Sequence, residues 1–167
     1  MKHDRRCWND YNMLLACVAA LRSPDPNTQV GAYICDVHNR PISNGYNGTP
    51  RGIDPEDIPW DRKNEDPLKT KYPYIAHAEK NAILNSISPV TGANLFVTMY
   101  PCSGCAIDII QAGIVSVTYL NNPYATEWQT QAAAWMFKKA NIYVHQHEWV
   151  SSRVKDILDQ LTLLPGG

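Results

Sequence analysis

The chain has 167 residues, of which 44% are hydrophobic and 19% charged, and its formal net charge is -1. This length and composition predict a single domain spanning residues 1–167, with enough apolar residues to form a core. The near-neutral charge argues against a long nucleic-acid footprint, and no apolar run reaches the ~18 residues that a membrane span needs. We therefore expect no stable nucleic-acid partner and no membrane partner. Because the first residues are not typical of a secretory signal, a cytoplasmic location is the default expectation.

The first half of the chain is predicted to form a helix, a hairpin and a long loop. Apolar residues recur at three- and four-residue spacing over residues 5–22, which is typical of a helix, and Ser23-Pro24-Asp25-Pro26 ends it. Alternating apolar residues predict strands at 29–36 and 41–45, joined by a turn. Residues 46–73 are rich in proline, glycine and charge, which predicts a loop so long that it is either functional or disordered.

The second half alternates between strands and helices. The same periodicities predict helices at 76–87, 102–112 and 126–140, and strands at 94–99, 114–120 and 141–145. A further helix is predicted at about 149–161. Helices between strands imply right-handed crossovers, so we predict an α/β fold whose sheet is mostly parallel behind the antiparallel opening hairpin.

Two short motifs carry groups that bind metals. His77-Ala78-Glu79 supplies an imidazole and a carboxylate, and Pro101-Cys102-Ser103-Gly104-Cys105 supplies two thiolates. A structural zinc site normally has four protein ligands, whereas three ligands leave a position for water, whose pKa the metal lowers to roughly 7. The carboxylate of Glu79 can then take a proton from that water and pass it to a leaving group. The sequence therefore predicts a catalytic zinc site held by His77, Cys102 and Cys105.

The spacing of these residues places them at the starts of two helices. Cys102 and Cys105 are three residues apart, so they share one helix face, and Pro101 suits a helix start. The positive end of the helix dipole lowers the pKa of thiols there and favours the ligating form. His77 and Glu79 would diverge by about 200° in mid-helix, so both can approach one metal only if His77 lies at the helix edge. We therefore predict two helix N-termini that face each other across one zinc ion.

A wider set of motifs indicates a known family. Four stretches carry the resemblance, and they are Pro26-Asn27-Thr28-Gln29-Val30-Gly31-Ala32, Gly45-Tyr46-Asn47-Gly48-Thr49-Pro50, Tyr74-Ile75-Ala76-His77-Ala78-Glu79 with Asn81-Ala82-Ile83, and Pro101-Cys102-Ser103-Gly104-Cys105 with Gln111-Ala112-Gly113-Ile114. On these motifs the chain resembles the deoxycytidylate (dCMP) deaminases, which have the cytidine deaminase-like fold. The resemblance implies a three-layer α-β-α architecture with a five-stranded mixed sheet flanked by helices. It also implies hydrolytic deamination of dCMP to dUMP and ammonia, which supplies dUMP for dTTP synthesis.

The resemblance also implies roles for particular residues. It gives the zinc ligands and the proton-shuttling carboxylate the roles stated above, and it implies that Asn27 contacts the sugar and that Tyr124 lines the nucleotide pocket. Members of the family are typically activated by dCTP and inhibited by dTTP, with magnesium accompanying the nucleotide effector. The resemblance places this regulatory site at Asn44, Gly45, Asn47 and Gly48. Members are commonly homohexamers, so a homo-oligomer is expected.

Some features depart from the family pattern or allow more than one interpretation. Some phage-type members bind a second, structural zinc in the segment before the catalytic His, but residues 46–76 contain neither Cys nor His, so one zinc per chain is expected. The Asn-Gly stretch is equally compatible with an ordinary turn. The basic residues of the loop are compatible with a phosphate contact or with a solvated surface. They are Arg51, Arg62, Lys63, Lys69 and Lys71. Arg51 is the best candidate for a phosphate contact.

Two alternative functions stay open on the sequence alone. The first is a related zinc deaminase that acts on another cytosine or adenine substrate, such as a free nucleoside or a polynucleotide. The second is a catalytically silent nucleotide-binding regulator with the same fold, although the presence of all four site residues argues against it. A panel of substrates tests the first alternative, and tight dCTP binding without ammonia release from any substrate would indicate the second.

Overall fold

A five-stranded sheet with helices on both sides forms the centre of the computed structural model, which describes residues 7–149. Its strands are β1 (Gly31–Cys35), β2 (Pro41–Tyr46), β3 (Asn94–Met99), β4 (Ser116–Asn121) and β5 (Tyr143–Gln146). Its helices are α1 (Trp8–Ala20), α2 (Ala78–Leu84), α3 (Ser103–Gln111) and α4 (Trp128–Lys139). Within the described range, no helix combines the length and the apolar character needed to cross a membrane. The helix predicted at about 149–161 lies outside the described residues except for Trp149.

The sheet is mixed, as expected from the family resemblance. Its strand order is β2-β1-β3-β4-β5, with parallel pairing of β3 with β4 and of β4 with β5, and antiparallel pairing of β1 with both β2 and β3. The predicted antiparallel opening hairpin is confirmed, and parallel pairing behind it is confirmed for β3, β4 and β5. The prediction is wrong only for β1 and β3, which pair antiparallel. The crossover through α2 does join two strands that run in the same direction, β2 and β3, but β1 lies between them and runs against both.

Different helices cover the two faces of the sheet because side chains alternate along each strand. On one face, Tyr33 and Cys35 of β1 pack in a cluster with buried residues of α1. On the other face, Ala32 and Ile34 of the same strand belong to a larger core that includes buried residues of α2, α3 and α4. The result is the three-layer α-β-α arrangement that the resemblance implied, with both motif-bearing helices on one side.

The first helix packs on the sheet through small and polar residues and not through its largest apolar ones. Its buried positions are Asp10, Asn12, Met13, Ala16, Cys17 and Ala20. A Cβ atom added to Gly31 of β1 would lie 2.0 Å from the backbone oxygen of Ala16, so the helix backbone rests directly on the strand. Ala16 and Ala20 lie at this close approach, and Met13 and Cys17 fill the space beside it. Trp8, Tyr11 and Val18 lie outside the buried face and are exposed, by 57%, 45% and 46%.

The backbone of α2 also packs closely against a glycine of the sheet, Gly45 of β2. A Cβ atom on Gly45 would lie 2.3 Å from the backbone nitrogen of Ala82 and 2.4 Å from the backbone oxygen of Ala78. The hydroxyl of Ser43 donates a hydrogen bond to the backbone oxygen of Ala82 at 2.6 Å across the same contact. The absence of a side chain at position 45 therefore allows the helix that follows His77 to lie against the sheet.

We expect Gly45→Ala to destabilise the fold by about 1–3 kcal/mol or more, because a backbone must move to accommodate the added methyl group. Thermal and urea denaturation measure this change. Gly104→Ala is the matched control, since a Cβ atom on Gly104 meets nothing closer than 3.9 Å and alanine favours a helix. Equal unfolding midpoints for Gly45→Ala and the wild type would contradict the close packing of α2 on β2.

Candidate active site

Three potential metal ligands meet where α2 and α3 begin. His77 and Cys102 immediately precede these helices and have extended backbone conformations, and Cys105 lies in the first turn of α3. The Nδ1 atom of His77 lies 3.5 Å from the Sγ atom of Cys102 and 3.3 Å from that of Cys105. The two helix N-termini thus face each other, with one imidazole nitrogen and two sulfur atoms within 4.8 Å of one another.

The spacing of these three atoms fits a zinc ion. Bonds of about 2.0 Å to nitrogen and about 2.3 Å to sulfur, at a tetrahedral angle, place the nitrogen and each sulfur about 3.5 Å apart. The two distances from His77 Nδ1, 3.5 and 3.3 Å, are close to this value. Among residues 7–149, no fourth His, Cys, Asp or Glu joins the group. The donor set is therefore one imidazole and two thiols, which suits zinc with a position left for another ligand.

The two thiols of this cluster differ in their affinity for protons. The hydrogen bond from Cys105 lowers the pKa of the Cys102 thiol, and contact with His77 acts in the same direction. The same contact with Cys102, together with burial, raises the pKa of Cys105. The pKa of His77 is raised by its hydrogen bond to Cys102. Cys102 is thus the thiol that loses its proton more readily, and binding of a divalent cation would displace the protons that His77 and Cys105 hold.

Glu79 is a buried carboxyl group next to these ligands. It lies in the first turn of α2, two residues after His77, and only 4% of it is exposed. Its burial raises the pKa of the carboxyl group. A carboxyl group whose pKa is raised can hold a proton and release it closer to neutral pH, which suits general acid–base chemistry.

Hydrogen bonds attach the start of α2 to the neighbouring chain. Just before His77, Ala76 and Gly48 exchange two backbone hydrogen bonds of 2.9 and 3.1 Å. One turn into the helix, the Nδ2 atom of Asn81 donates to the backbone oxygen of Tyr46 at 2.7 Å. The position of the imidazole is therefore determined by contacts on both sides of it.

A cavity of about 520 Å³ opens beside the ligands. His77, Glu79 and Cys102 form part of its wall. Besides Ala78 of α2, the rest of the wall comes from four segments: the loop before β1, the long loop at 47–77, the end of β3 with Tyr100, and the loop between β4 and α4 with the first turn of α4. Small-ligand sites commonly have volumes of about 300–1,000 Å³. The arrangement is that of a small-molecule site with a metal-binding group in its wall.

The two residues that the resemblance implied as substrate contacts differ in their surroundings. Tyr124 lines the cavity, and its hydroxyl accepts a hydrogen bond from Arg62 at 2.9 Å. Asn27 is exposed and is not among the described residues that line the cavity, although Thr28 beside it is. The side-chain amide of Asn27 donates to the backbone oxygen of Trp60 at 2.9 Å. A contact between Asn27 and the sugar stays a prediction.

The four residues of the predicted effector site have structural contacts of their own. Asn47 is buried, and its side-chain amide makes four hydrogen bonds to the segment between α1 and β1. Gly48 pairs with Ala76, and Gly45 packs on α2. Asn44 is exposed on β2. These contacts account for the Asn-Gly stretch without a ligand, and effector binding there stays a prediction.

The structure brings two of the five basic loop residues named from the sequence, Arg62 and Lys71, to the cavity wall. Asp25, which the sequence did not single out, also lines the cavity and forms a buried ion pair with Lys71. Arg51, the basic residue that the sequence favoured for a phosphate contact, bonds to Asn85 and is not among the described residues of the cavity wall. The position of Arg62 within the loop does not distinguish it from the other basic residues there. Its place in the cavity wall depends on segments that are distant in sequence.

A comparison with known protein families identifies the region that contains both motifs. Residues 6–121, more than half of the chain, match the family described as the cytidine and deoxycytidylate deaminase zinc-binding region. The matched range includes His77, Glu79, Cys102 and Cys105.

Curated relatives show the same likeness. The deoxycytidylate deaminase of Mus musculus is 44% identical over 136 residues, which are 81% of this chain and 76% of that protein. The deoxycytidylate deaminase of Homo sapiens is 43% identical over the same shares of the two chains. The probable deoxycytidylate deaminase of Drosophila melanogaster is 41% identical over 84% of this chain and 72% of its own length.

Solved structures share the fold. The dCMP deaminase from the cyanophage S-TIM5 in apo form superposes with a TM-score of 0.63 at 24% identity, covering 88% of this chain and 100% of that chain. The same enzyme in complex with dCMP and dUMP superposes with a TM-score of 0.59, covering 84% of this chain and 93% of that chain. At this level of identity the likeness establishes the architecture.

Proposed function

This chain belongs to the cytidine and deoxycytidylate deaminase family, and we propose that it converts dCMP and water to dUMP and ammonia. Membership of the family makes the protein a zinc-dependent hydrolytic deaminase. Relatives named deoxycytidylate deaminase, 43–44% identical over 81% of the chain, support dCMP as the substrate. The single observation that carries the proposal is the cluster of His77, Cys102 and Cys105 with the buried Glu79 beside it on the cavity wall.

His77 Nδ1 and the sulfur atoms of Cys102 and Cys105 would hold the zinc ion. Zinc bound there would supply a Lewis acid that lowers the pKa of a water molecule to about 7. The position of Cys102 at the N-terminus of α3 favours its thiolate form, because the helix dipole stabilises negative charge there. Cys105, whose pKa is raised by its contact with Cys102 and by burial, would lose its proton when the cation binds.

Glu79 would move the protons of the reaction. Its carboxylate takes a proton from the attacking water, whose oxygen forms a bond to C4 of the cytosine ring, and transfers that proton to N3. A second proton, from the hydroxyl group now on C4, passes through Glu79 to the amino group, so that the C4–N bond breaks and ammonia leaves. Burial raises the pKa of Glu79, so its carboxylate takes up a proton more readily and its protonated form can then donate that proton to N3 or to the amino group.

Tyr124 and Asn27 are proposed as substrate contacts. The position of Tyr124 supports this role, since it lines the cavity on the loop that follows a parallel strand, where ligands of open α/β sheets commonly bind. Asn27 neighbours the cavity-lining Thr28. Its contact with a sugar requires its amide to leave the backbone oxygen of Trp60.

The wider role proposed for the enzyme follows from its resemblance to the deoxycytidylate deaminases. Its dUMP would supply dTTP synthesis in the cytoplasm. A homohexamer would respond to dCTP as an activator and to dTTP as an inhibitor, with magnesium accompanying the effector. The effector site is proposed at Asn44, Gly45, Asn47 and Gly48. No nucleic-acid or membrane partner is proposed.

Ammonia release by the purified protein tests the proposed function. A panel of dCMP, dCTP, deoxycytidine, adenosine and single-stranded DNA, each with and without a chelator, should show release from dCMP that the chelator abolishes. Preferential release from another member of the panel would indicate a related deaminase with a different substrate. Tight dCTP binding without release from any substrate would indicate a silent regulator.

Addition of dCTP should raise the rate at low dCMP concentration, and dTTP with magnesium should lower it. A coupling between sites typically changes affinity by about 5- to 150-fold, so the half-saturating dCMP concentration should shift within that range. Rate curves against dCMP, with each effector present or absent, measure the shift. Identical hyperbolic curves under all conditions would remove the regulatory part of the proposal.

A further inference from the structure

An ion pair joins the two helices that carry the metal-binding groups. Lys80 lies in the first turn of α2, directly after Glu79, and Asp108 lies in α3, one turn after Cys105. The Nζ atom of Lys80 is 3.2 Å from the Oδ2 atom of Asp108. Outside the candidate active site, no other ion pair or side-chain hydrogen bond connects α2 with α3 among residues 7–149. The pair is therefore the one charged link between the two halves of the ligand set.

The carboxylate of Asp108 depends on this lysine for a charged partner. Its Oδ2 atom is buried and accepts no hydrogen bond within the described part of the chain. The side chains of Lys80 and Asp108 are 49% and 33% exposed, so water and salt screen the pair only in part. Removal of Lys80 would leave a buried carboxylate oxygen without its cation, and an unsatisfied buried polar atom is costly. The contact between the two helices thus satisfies a group that nothing else described satisfies.

The other contacts of α2 fix its distance from the sheet more than its distance from α3. The side chain of Asn81 donates its hydrogen bond to the backbone oxygen of Tyr46 in β2. In the core that α2 and α3 share, the buried residues of α2 are Ala78 and Ala82. Such small side chains make few contacts that would oppose a shift of one helix along the other. The ion pair therefore supplies a restraint that the packing of α2 does not.

We propose that Lys80 and Asp108 are positioning residues, whose ion pair holds α2 and α3 at the separation that zinc binding requires. The inference goes beyond the proposed function but rests on its metal site. His77 precedes α2 whereas both cysteines belong to the start of α3, so the ligand atoms stay together only if the two helix starts do. Ligands that are held in place before the ion arrives lose less conformational entropy on binding. Pairing with Asp108 also neutralises Lys80, whose charge would otherwise oppose an approaching cation.

The zinc affinity of two single variants and their double variant tests the proposal. Competition between the holoenzyme and a zinc chelator measures this affinity without turnover. We expect Lys80→Met and Asp108→Asn each to weaken zinc binding by about two- to fivefold, the range for a partly exposed ion pair. The double variant should bind no more weakly than either single variant, because the pair is already broken in each. Lys80→Arg, which keeps the pair, should bind zinc as tightly as the wild type.

The direction of the two single effects separates positioning from a simple effect of charge. If both charges acted on the ion only through space, loss of the positive Lys80 would strengthen zinc binding and loss of the negative Asp108 would weaken it. Such opposite shifts, or wild-type affinity in both variants, would overturn the proposal.

Arg40→Gln is the matched control for the loss of an ion pair. Arg40 pairs with Asp36 in the turn between β1 and β2, and neither residue is among the described residues of the cavity wall. This variant should keep the wild-type zinc affinity. An equal loss of affinity in Arg40→Gln would indicate a general effect on the fold and would overturn the proposal as well.

Failure of the proposed function is a separate result. A wild type that binds zinc but releases no ammonia from dCMP would contradict the proposed substrate and leave the zinc affinities to decide the role of the ion pair. A wild type that binds no zinc would overturn both proposals.

Discussion

Replacing Glu79 by glutamine should reduce kcat for dCMP by about 10²–10⁴-fold while the zinc content stays at the wild-type level. The amide keeps the size of the side chain and its buried place in the first turn of α2, but it can neither take up the proton nor return it. Steady-state kinetics measure kcat, and elemental analysis of the same samples measures zinc.

Glu65→Gln is the matched control for this experiment. Glu65 is an exposed carboxylate on the long loop, outside the described cavity wall, so its substitution should change neither kcat nor zinc content. Turnover by Glu79→Gln near the wild-type rate would refute the role of Glu79 in proton transfer. Loss of zinc from that variant would show instead that the carboxyl group helps to hold the metal.

Replacing Cys105 by serine should remove the zinc ion and reduce dCMP turnover to background. The sulfur of Cys105 lies 3.3 Å from His77 Nδ1, and only 3% of the residue is exposed. Serine offers a hydroxyl in place of a thiolate, so a three-donor set becomes a two-donor set. Elemental analysis should fall from about one zinc per chain to near zero. Since bound zinc stabilises the folded state by mass action, the unfolding temperature should fall as well.

Cys7→Ser separates metal loss from a general effect of removing a thiol. Cys7 is half-buried and precedes α1 at the N-cap position, where serine is favourable, so this variant should keep both zinc and activity. Full zinc occupancy in Cys105→Ser would contradict the proposed ligand set and with it the assignment of the open site.

The two helix starts at the metal site were predictable because each depends on residues that are close in sequence. The two-residue spacing of His77 and Glu79 allows both to approach one metal only if His77 lies outside the helix, and α2 does begin at Ala78. The proline before Cys102 is typical of a helix start, and α3 begins at Ser103. Short-range geometry is therefore sufficient to determine both N-termini, without tertiary contacts.

The packed face of α1 was not predictable in the same way. The spacing of its large apolar residues identified the helix, yet Trp8 and Val18 are among the exposed residues. The buried face is decided by Gly31, which lies in a later strand and allows the helix backbone to approach the sheet. Periodicity within a helix identifies one face of similar residues, but the surface that the helix packs against determines which face is buried.

The charged wall of the cavity shows the same limit at longer range. Asp25 and Lys71 are 46 positions apart, and Arg62 meets Tyr124 across 62 positions. Within the loop, these cations have no spacing that distinguishes them from Arg51, which carried the sequence-based expectation. What distinguishes Lys71 from Arg62 is its partner: Lys71 is neutralised by the buried carboxylate of Asp25, whereas Arg62 bonds to the hydroxyl of Tyr124.

The sequence by itself identified the three side chains that meet at the proposed metal site, the neighbouring carboxyl group, the order of strands and helices, and the family. These follow from residue types at short spacing and from periodicity, which local backbone geometry translates directly into structure. The tertiary structure alone decided that β1 also pairs antiparallel with β3, that Met13, Ala16 and Cys17 of α1 face the sheet, and that Arg62 shares a cavity with Glu79. Each of these depends on contacts between distant segments, and such contacts are chosen by the packing of the whole chain, which no local pattern encodes.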